Sequence, residues 1–334
     1  MPNSEKQVAL KSWTPVPGER HGSVLQPKVR THSILLTIEA TVDVTADAAA
    51  SRNRGSVLAL FDEVGLNVDG EDRIILDPRS ARMWNEVNAI SPLPSSRFTD
   101  VEADSAAYRL RETLRLDLAN PRLAFPEETA FSERDTLQSM EVFMKYNGLG
   151  TKLFGGGTVV VSAPTVRVQQ VYDPFRSELP LFRPSVRQVS SAVPGANDRQ
   201  EISLKGSRYF GGVLIQQDSD AGEVSDMINT IAILGGDGKD IIPQQMPWLD
   251  AVEHSQGDSG GNVAGSRAYL GVNFLKKGRL SKLVHPYSYG NLRLVLDVVP
   301  SVTAGATNGK IRVTIFEYER DTELTTAALP DFTL

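Results

Sequence analysis

Val68-Asp69-Gly70-Glu71-Asp72-Arg73-Ile74-Ile75 and Gly236-Asp237-Gly238-Lys239-Asp240-Ile241-Ile242 are two versions of one pattern. Each follows an apolar run and sets Asp-Gly ahead of charged residues and two β-branched ones, which is how a chain leaves one strand and turns into the next. The copies lie about half a chain length apart. Together they predict one β unit built twice.

The bulk properties fit two such units. A chain of 334 residues exceeds what one core usually supports, and its 40% hydrophobic and 23% charged residues are those of a globular protein. Lys and Arg number 35 against 41 Asp and Glu, a net charge of −6, which disfavours a general grip on nucleic acid through phosphate neutralisation. With no Cys there is no disulfide, thiolate nucleophile or Cys-based zinc site. The sequence has no run of ~18 apolar residues to span a bilayer and no signal-peptide core at its N-terminus, so it predicts a soluble protein made in the cytoplasm.

Residues 1–31 carry Pro15, Pro17 and Pro27, with Lys6, Lys11, Arg20, Lys28 and Arg30 against Glu5 and Glu19. They predict a mildly basic N-terminal arm, either disordered or ordered against a neighbour or an anionic surface. From Ser33 the texture changes, and Ile34, Leu36, Ile38, Ala40, Val42 and Val44 alternate with other residues as in a half-buried strand. Asp77-Pro78 supplies an N-cap and a first-turn proline for a short helix with Met83, Trp84, Val87 and Ile90 on one face, stopped by Ser91-Pro92. Leu114 to Leu118 is a strand. Ser132 can cap a second helix in which Leu137, Met140 and Met144 share a face, although Met140, Val142, Met144 and Tyr146 also fit a strand. Thr158 to Val161 and Thr165 to Tyr172 read as two strands broken by Pro164.

Pro174, Pro180, Pro184 and Pro194 argue against central strands and predict a linker over 174–200. The predicted organisation is an arm at 1–31, one β domain at 32–173, the linker, a second β domain at 201–321 and a tail at 322–334. Three segments then recur in the same order: the Asp-Gly turns, Leu114 to Leu118 with Leu292 to Leu296, and Val166 to Gln170 with Ile311 to Ile315. Their unequal separations imply variable loops on a repeated scaffold.

Few residues point to chemistry. Gly257-Asp258-Ser259-Gly260-Gly261 resembles the nucleophile motif of chymotrypsin-like serine proteases, which also have two β domains. Such a serine needs an imidazole and a carboxylate beside it. The available histidines are His21, His32, His254 and His285, and none stands in the family's histidine motif. The glycines equally suit an exposed loop tip. Asp218, Asp220, Glu223 and Asp226 form an acidic loop able to wrap a calcium ion, without the EF-hand order, and a solvated turn explains it as well. Gly236-Asp237-Gly238-Lys239 lacks the Ser or Thr that a phosphate loop needs after its lysine. Trp13, Trp84 and Trp248 are too scattered for a sugar- or base-stacking platform and suit packing roles.

The alternating run to Val44, Leu60-Phe61-Asp62-Glu63-Val64-Gly65-Leu66 before the first turn, Leu114 to Pro121, Glu127-Glu128-Thr129-Ala130, Leu292 to Pro300 and Ile311 to Tyr318 together resemble the double jelly-roll major capsid proteins of tailless icosahedral, often membrane-containing bacteriophages, a lineage shared with adenovirus hexon. The resemblance covers roughly residues 32–321 and implies an all-β chain of two consecutive jelly rolls with short helices in the loops. It further implies a non-enzymatic homotrimer forming a pseudo-hexagonal capsomer of a virion, assembled in the host cytoplasm. Its partners would be neighbouring capsomers, penton and minor capsid proteins, and an internal membrane or membrane protein met by the N-terminal arm, with no catalytic residue, no cofactor and no sequence-specific nucleic acid. The rival readings are a serine hydrolase using Ser259 and a carbohydrate-active double β-sandwich.

Overall fold

Asp69 and Gly70 both take left-handed backbone conformations, with φ of 52° and 83°. Two successive residues at positive φ make a hairpin turn whose twist suits the flanking strands. Asn67 closes it by accepting from the Gly70 N–H at 3.0 Å. The computed structural model describes residues 6–26, 29–45, 51–52, 57–88, 108–120, 131–132, 139–150, 153–155, 158–173, 182–193, 197–204, 208–219, 222–236, 240–259, 267–275, 284, 289–290, 292–303 and 307–320. Asp237 and Gly238 lie outside these residues, but strands flank their position on both sides.

The principal elements of the first half are β1 (Lys6–Trp13), β2 (Arg20–Val24), β3 (Arg30–Thr45), β4 (Phe61–Val68), β5 (Glu71–Leu76), α1 (Pro78–Asn88), β6 (Tyr108–Asp117), β7 (Met140–Tyr146) and β8 (Thr158–Asp173). Those of the second half are β9 (Phe182–Ala192), β10 (Asp198–Ser203), β11 (Tyr209–Ser219), β12 (Ile228–Leu234), β13 (Ile242–Pro247), α2 (Trp248–Ser259), β14 (Tyr269–Asn273), β15 (Arg293–Val298) and β16 (Lys310–Arg320). The first roll packs the sheet β1-β8-β3-β6 against β2-β7-β4-β5, and the second packs β9-β16-β11-β14 against β10-β15-β12-β13. Each strand therefore has its counterpart eight numbers on, and each roll carries its helix between its fifth and sixth strands. This is a jelly roll made twice.

Strand alternation explains the layers. Ile34, Leu36, Ile38, Ala40 and Val42 of β3 are at most 2% exposed, as are Ile311, Val313 and Ile315 of β16, and each set faces the core of its own roll. Burying a side chain of this size contributes ~1.5–3 kcal/mol. The rolls join through a parallel bridge between Val186 of β9 and Ile74 of β5, so one sheet runs from β2 through β9 to β14.

Several sequence expectations are corrected. Residues 6–24 are not an arm: β1 pairs with β8 and β2 with β7, Leu10 and Trp13 pack against the first core, and Pro15 and Pro17 turn the chain between the two sheets. The first roll thus begins near residue 6. The predicted linker contains β9, the first strand of the second roll. Pro184 is tolerated there because β9 pairs along its length with β16 but meets β5 only at Val186, so at Pro184 it is effectively an edge. Residues 140–146 form a strand, with Met140, Val142, Met144 and Tyr146 buried, and Ser132 lies in a two-residue strand beside β3 where a helix cap was predicted. Leu137 and Ile90 fall outside the described residues. Pro164 does not break β8; Ala163 at φ 47° and Pro164 are absorbed as a bulge. Of the three recurring segments, the Asp-Gly positions and the β8/β16 pair are equivalent. Leu114 lies on β6 and Leu292 leads into β15, and the counterparts of those strands are β14 and β7.

Candidate functional site at the seam of the two rolls

A cluster of polar contacts lies where α1 of the first roll meets the sheet β9-β16-β11-β14 of the second. Asp77 starts the helix as predicted: its Oδ1 accepts from the backbone N–H of Arg79 at 2.7 Å and of Ser80 at 3.3 Å. Its Oδ2 meets Arg312 of β16 at 3.1 Å, so one carboxylate both caps α1 and ties it to the other roll. Arg79 reaches Asp218 of β11 at 2.9 Å, and Arg312 meets the same carboxylate oxygen at 2.9 Å. Burial opposes the charge on Arg79, but Asp77 and Asp218 outweigh it and hold its pKa above the ordinary arginine value. Ser80 donates to Gln216 at 3.0 Å and accepts from Gln188 at 3.1 Å.

Beside these contacts α1 presses an apolar face into the same sheet. The Trp84 ring stacks on Phe316, with centroids 3.6 Å apart and planes 9° from parallel. Two glycines make the groove. A Cβ on Gly212 would sit 2.2 Å from the Trp84 ring, and one on Gly271 would sit 2.6 Å from Val87. Behind Trp84 lies a cavity of about 40 Å³ bounded by Asn85, Asp117, Ser185 and Tyr318. That exceeds the ~10–15 Å³ needed to hold one water. Burial raises the Asp117 pKa against the pull of Arg115, and pushes the Tyr318 hydroxyl up to about 12 against the hydrogen bond from Asn120. The arrangement suits rigid joining of two sandwiches.

The sequence-predicted candidates lie elsewhere. Ser259 is the last residue of α2, and Gly260 and Gly261 lie outside the described residues. His254 is on the same helix, while His21 and His32 belong to the first roll, on β2 and β3; His285 lies outside the described residues. His21 Nε2 accepts from the Val16 N–H at 3.0 Å. In the acidic loop, Asp218 faces the two arginines of the seam and Glu223 accepts from the Tyr269 hydroxyl at 2.8 Å. Asp226 accepts from Ser301 Oγ at 2.7 Å and from the backbone N–H groups of Val302 and Thr303 at 2.9 and 3.0 Å. Asp220 lies outside the described residues, and among those described no three acids or histidines gather as a metal site. The three tryptophans pack as expected: Trp248 is 1% exposed with Nε1 donating to the Arg267 carbonyl, Trp84 fills the seam, and Trp13 lies against the first core.

The seam itself was missed in the sequence, apart from the Asp77 cap and the Trp84 face. Its partners Gly212, Asp218 and Arg312 stand more than 120 positions away, and only the fold brings them together.

No family model matches the sequence and no curated protein matches it. Solved structures do. The major capsid protein of STIV, from Sulfolobus Turreted Icosahedral Virus, superposes with a TM-score of 0.71 at 12% identity, over 98% of this chain and 100% of that one. The major capsid protein P2 from bacteriophage PM2 gives a TM-score of 0.59 at 10% identity, over 95% of this chain and 98% of that one. A chain of the PBCV-1 virus capsid gives 0.63 at 11% identity, over 94% and 93%. What this chain shares with them, from end to end, is the double jelly-roll fold.

Proposed function

We propose that the chain is a structural major capsid protein, three copies of which form a pseudo-hexagonal capsomer in the shell of an icosahedral virion. The observation that carries this reading is the match of both rolls, over nearly the whole of each chain, to capsid proteins. Two rolls locked by α1 suit the role, since a tile built from sandwiches must hold its shape while neighbours press on it. Head-to-tail contacts between such units close into rings when the rotation allows.

On this reading the partners are other copies of the chain and neighbouring capsomers, with penton and minor capsid proteins at special positions. No cofactor and no reaction are involved. The net charge of −6 supports a shell that does not itself hold the genome.

The test is the native mass of the purified chain, with an activated-serine probe run in parallel. A stable species of three chains, unlabelled at Ser259, is the expected result. A monodisperse monomer labelled at Ser259 overturns the proposal in favour of a hydrolase.

A further inference from the structure

The seam within one chain shows how one roll receives the next, and the same parts recur, exposed among the described residues, at the chain's two outer ends. Helix α2 sits on its own roll as α1 does on the first, with Ala251 and Ala81 each turned into the core of its own roll. Setting these alanines together places Leu249 opposite Arg79, Asp250 opposite Ser80, Glu253 opposite Met83 and His254 opposite Trp84. On α1 that face is pressed against the second roll. On α2 all four residues are exposed, including Leu249 at 42%.

The receiving sheet has its counterpart too. In the second roll Arg312 lies opposite Gln216 in the ladder, and Asp218, two residues along, takes Arg312 and the Arg79 of α1. In the first roll Arg167 lies opposite Thr37, and Glu39, two residues along, takes Arg167 at 3.4 Å. Here the sheet supplies further cations of its own: Arg109 at 2.7 Å and Arg111 at 3.4 Å from Glu39. Glu39 is 9% exposed, while the three arginine side chains are 70%, 63% and 53% exposed.

The charges complement one another. One carboxylate among three guanidiniums leaves +2 on this cluster, and Asp250 and Glu253 place −2 on the exposed face of α2. The sheet edges match as well. Within the chain β5 meets β9 edge to edge, while their counterparts β13 and β1 each pair with a single strand among the described residues. Uncovered strand edges are positions where a second chain adds on.

We propose that a second copy of this chain docks its helix α2 on the outward face of β1-β8-β3-β6, with Asp250 and Glu253 set among Arg109, Arg111 and Arg167 and with β13 beside β1. This repeats between copies the junction that α1 makes within one. It rests on the capsomer reading and gives it a specific contact.

Charge reversal tests it. D250K/E253K alters only an exposed helix face and R109E/R111E alters the sheet; sedimentation at low ionic strength measures association of each, of their mixture and of the combined variant, with circular dichroism checking the fold. Each reversal alone is expected to weaken association by about 100-fold or more, because like charges then face each other. The combined variant is expected to return to within about tenfold of the unaltered protein. A trimer indifferent to D250K/E253K, or a combined variant no better than the single reversals, overturns this docking and leaves the capsomer reading standing. An unaltered chain that stays monomeric at every concentration overturns both.

Discussion

Trp84→Ala is the sharpest probe of the seam. The indole is 8% exposed and stacks on Phe316, and it sits in a groove that Gly212 and Gly271 leave open. Truncating a buried Trp costs ~3–5 kcal/mol, of which the aromatic pair accounts for ~0.5–1.5 kcal/mol. The upper part of that range is expected, since glycines have no side chains to move into the space and the existing cavity behind the ring would enlarge. The loss should also appear as lost cooperativity. Trp84 belongs to an apolar cluster with Leu214, Tyr269 and Phe316 of the second roll, so removing it leaves Val87 as the buried apolar contact of α1 there, beside the Ser80 hydrogen bonds, the ion pairs and a short parallel bridge. Urea unfolding followed by far-ultraviolet circular dichroism, at matched oligomeric state, should change from one transition to two, while Trp84→Phe should keep one. A loss below ~1 kcal/mol with unchanged cooperativity would refute the view that α1 locks the rolls together.

Asp77→Ala removes a helix cap worth ~1 kcal/mol and also a carboxylate facing Arg312, so chemical denaturation should show a loss larger than the cap alone explains. Gly212→Ala places a Cβ 2.2 Å from the Trp84 ring and 2.6 Å from the Val272 carbonyl; because backbone cannot give way cheaply, a lowered melting temperature and a loss of ~1–3 kcal/mol are expected. Asp117 and Glu39 should respond to pH with opposite signs. Burial raises the folded-state pKa of Asp117, so its favourable contribution is present below its unfolded pKa and is lost as pH rises through the folded value. Asp117→Asn should therefore gain stability over the unaltered protein at neutral pH, with the gap closing on acidification; a gap independent of pH contradicts this. The hydrogen bond from Arg109, chief among the causes, lowers the Glu39 pKa, so its contribution is present above the unfolded value and fades as pH falls through the folded one. Acid titration of Glu39→Gln beside the unaltered chain reads this as a stability difference that vanishes at low pH.

The sequence showed most clearly what is local. Asp69-Gly70 announces its turn because few other residue pairs take two positive φ angles in a row, and Asp77-Pro78 announces α1 because a cap and a fixed φ act within one turn. The alternation along β3 is equally direct. Other features depended on partners that no local pattern names. Met140 and Met144 suit a helix face at four-residue spacing as well as a strand face at two, and pairing of β7 with both β2 and β4 decides between them. Prolines at 15, 17 and 184 suggested irregular chain, whereas the fold uses the first two at a corner between sheets and the third where a strand lacks a neighbour. Leu114 and Leu292 matched in texture alone, since any half-buried strand shows the same alternation. Only the hydrogen-bonded order of the sheets assigns them to different places in the two rolls. The charge match between α2 and the β1-β8-β3-β6 face was equally hidden, because it depends on knowing which of 35 basic and 41 acidic residues share a surface.

Electron microscopy of the purified protein at high concentration tests the proposed capsomer most directly. Single-particle averages should show a ring of six sandwich-shaped densities, two from each of three chains, with larger fields tiling hexagonally. Isolated particles of two sandwiches each, at every concentration tried, would contradict it.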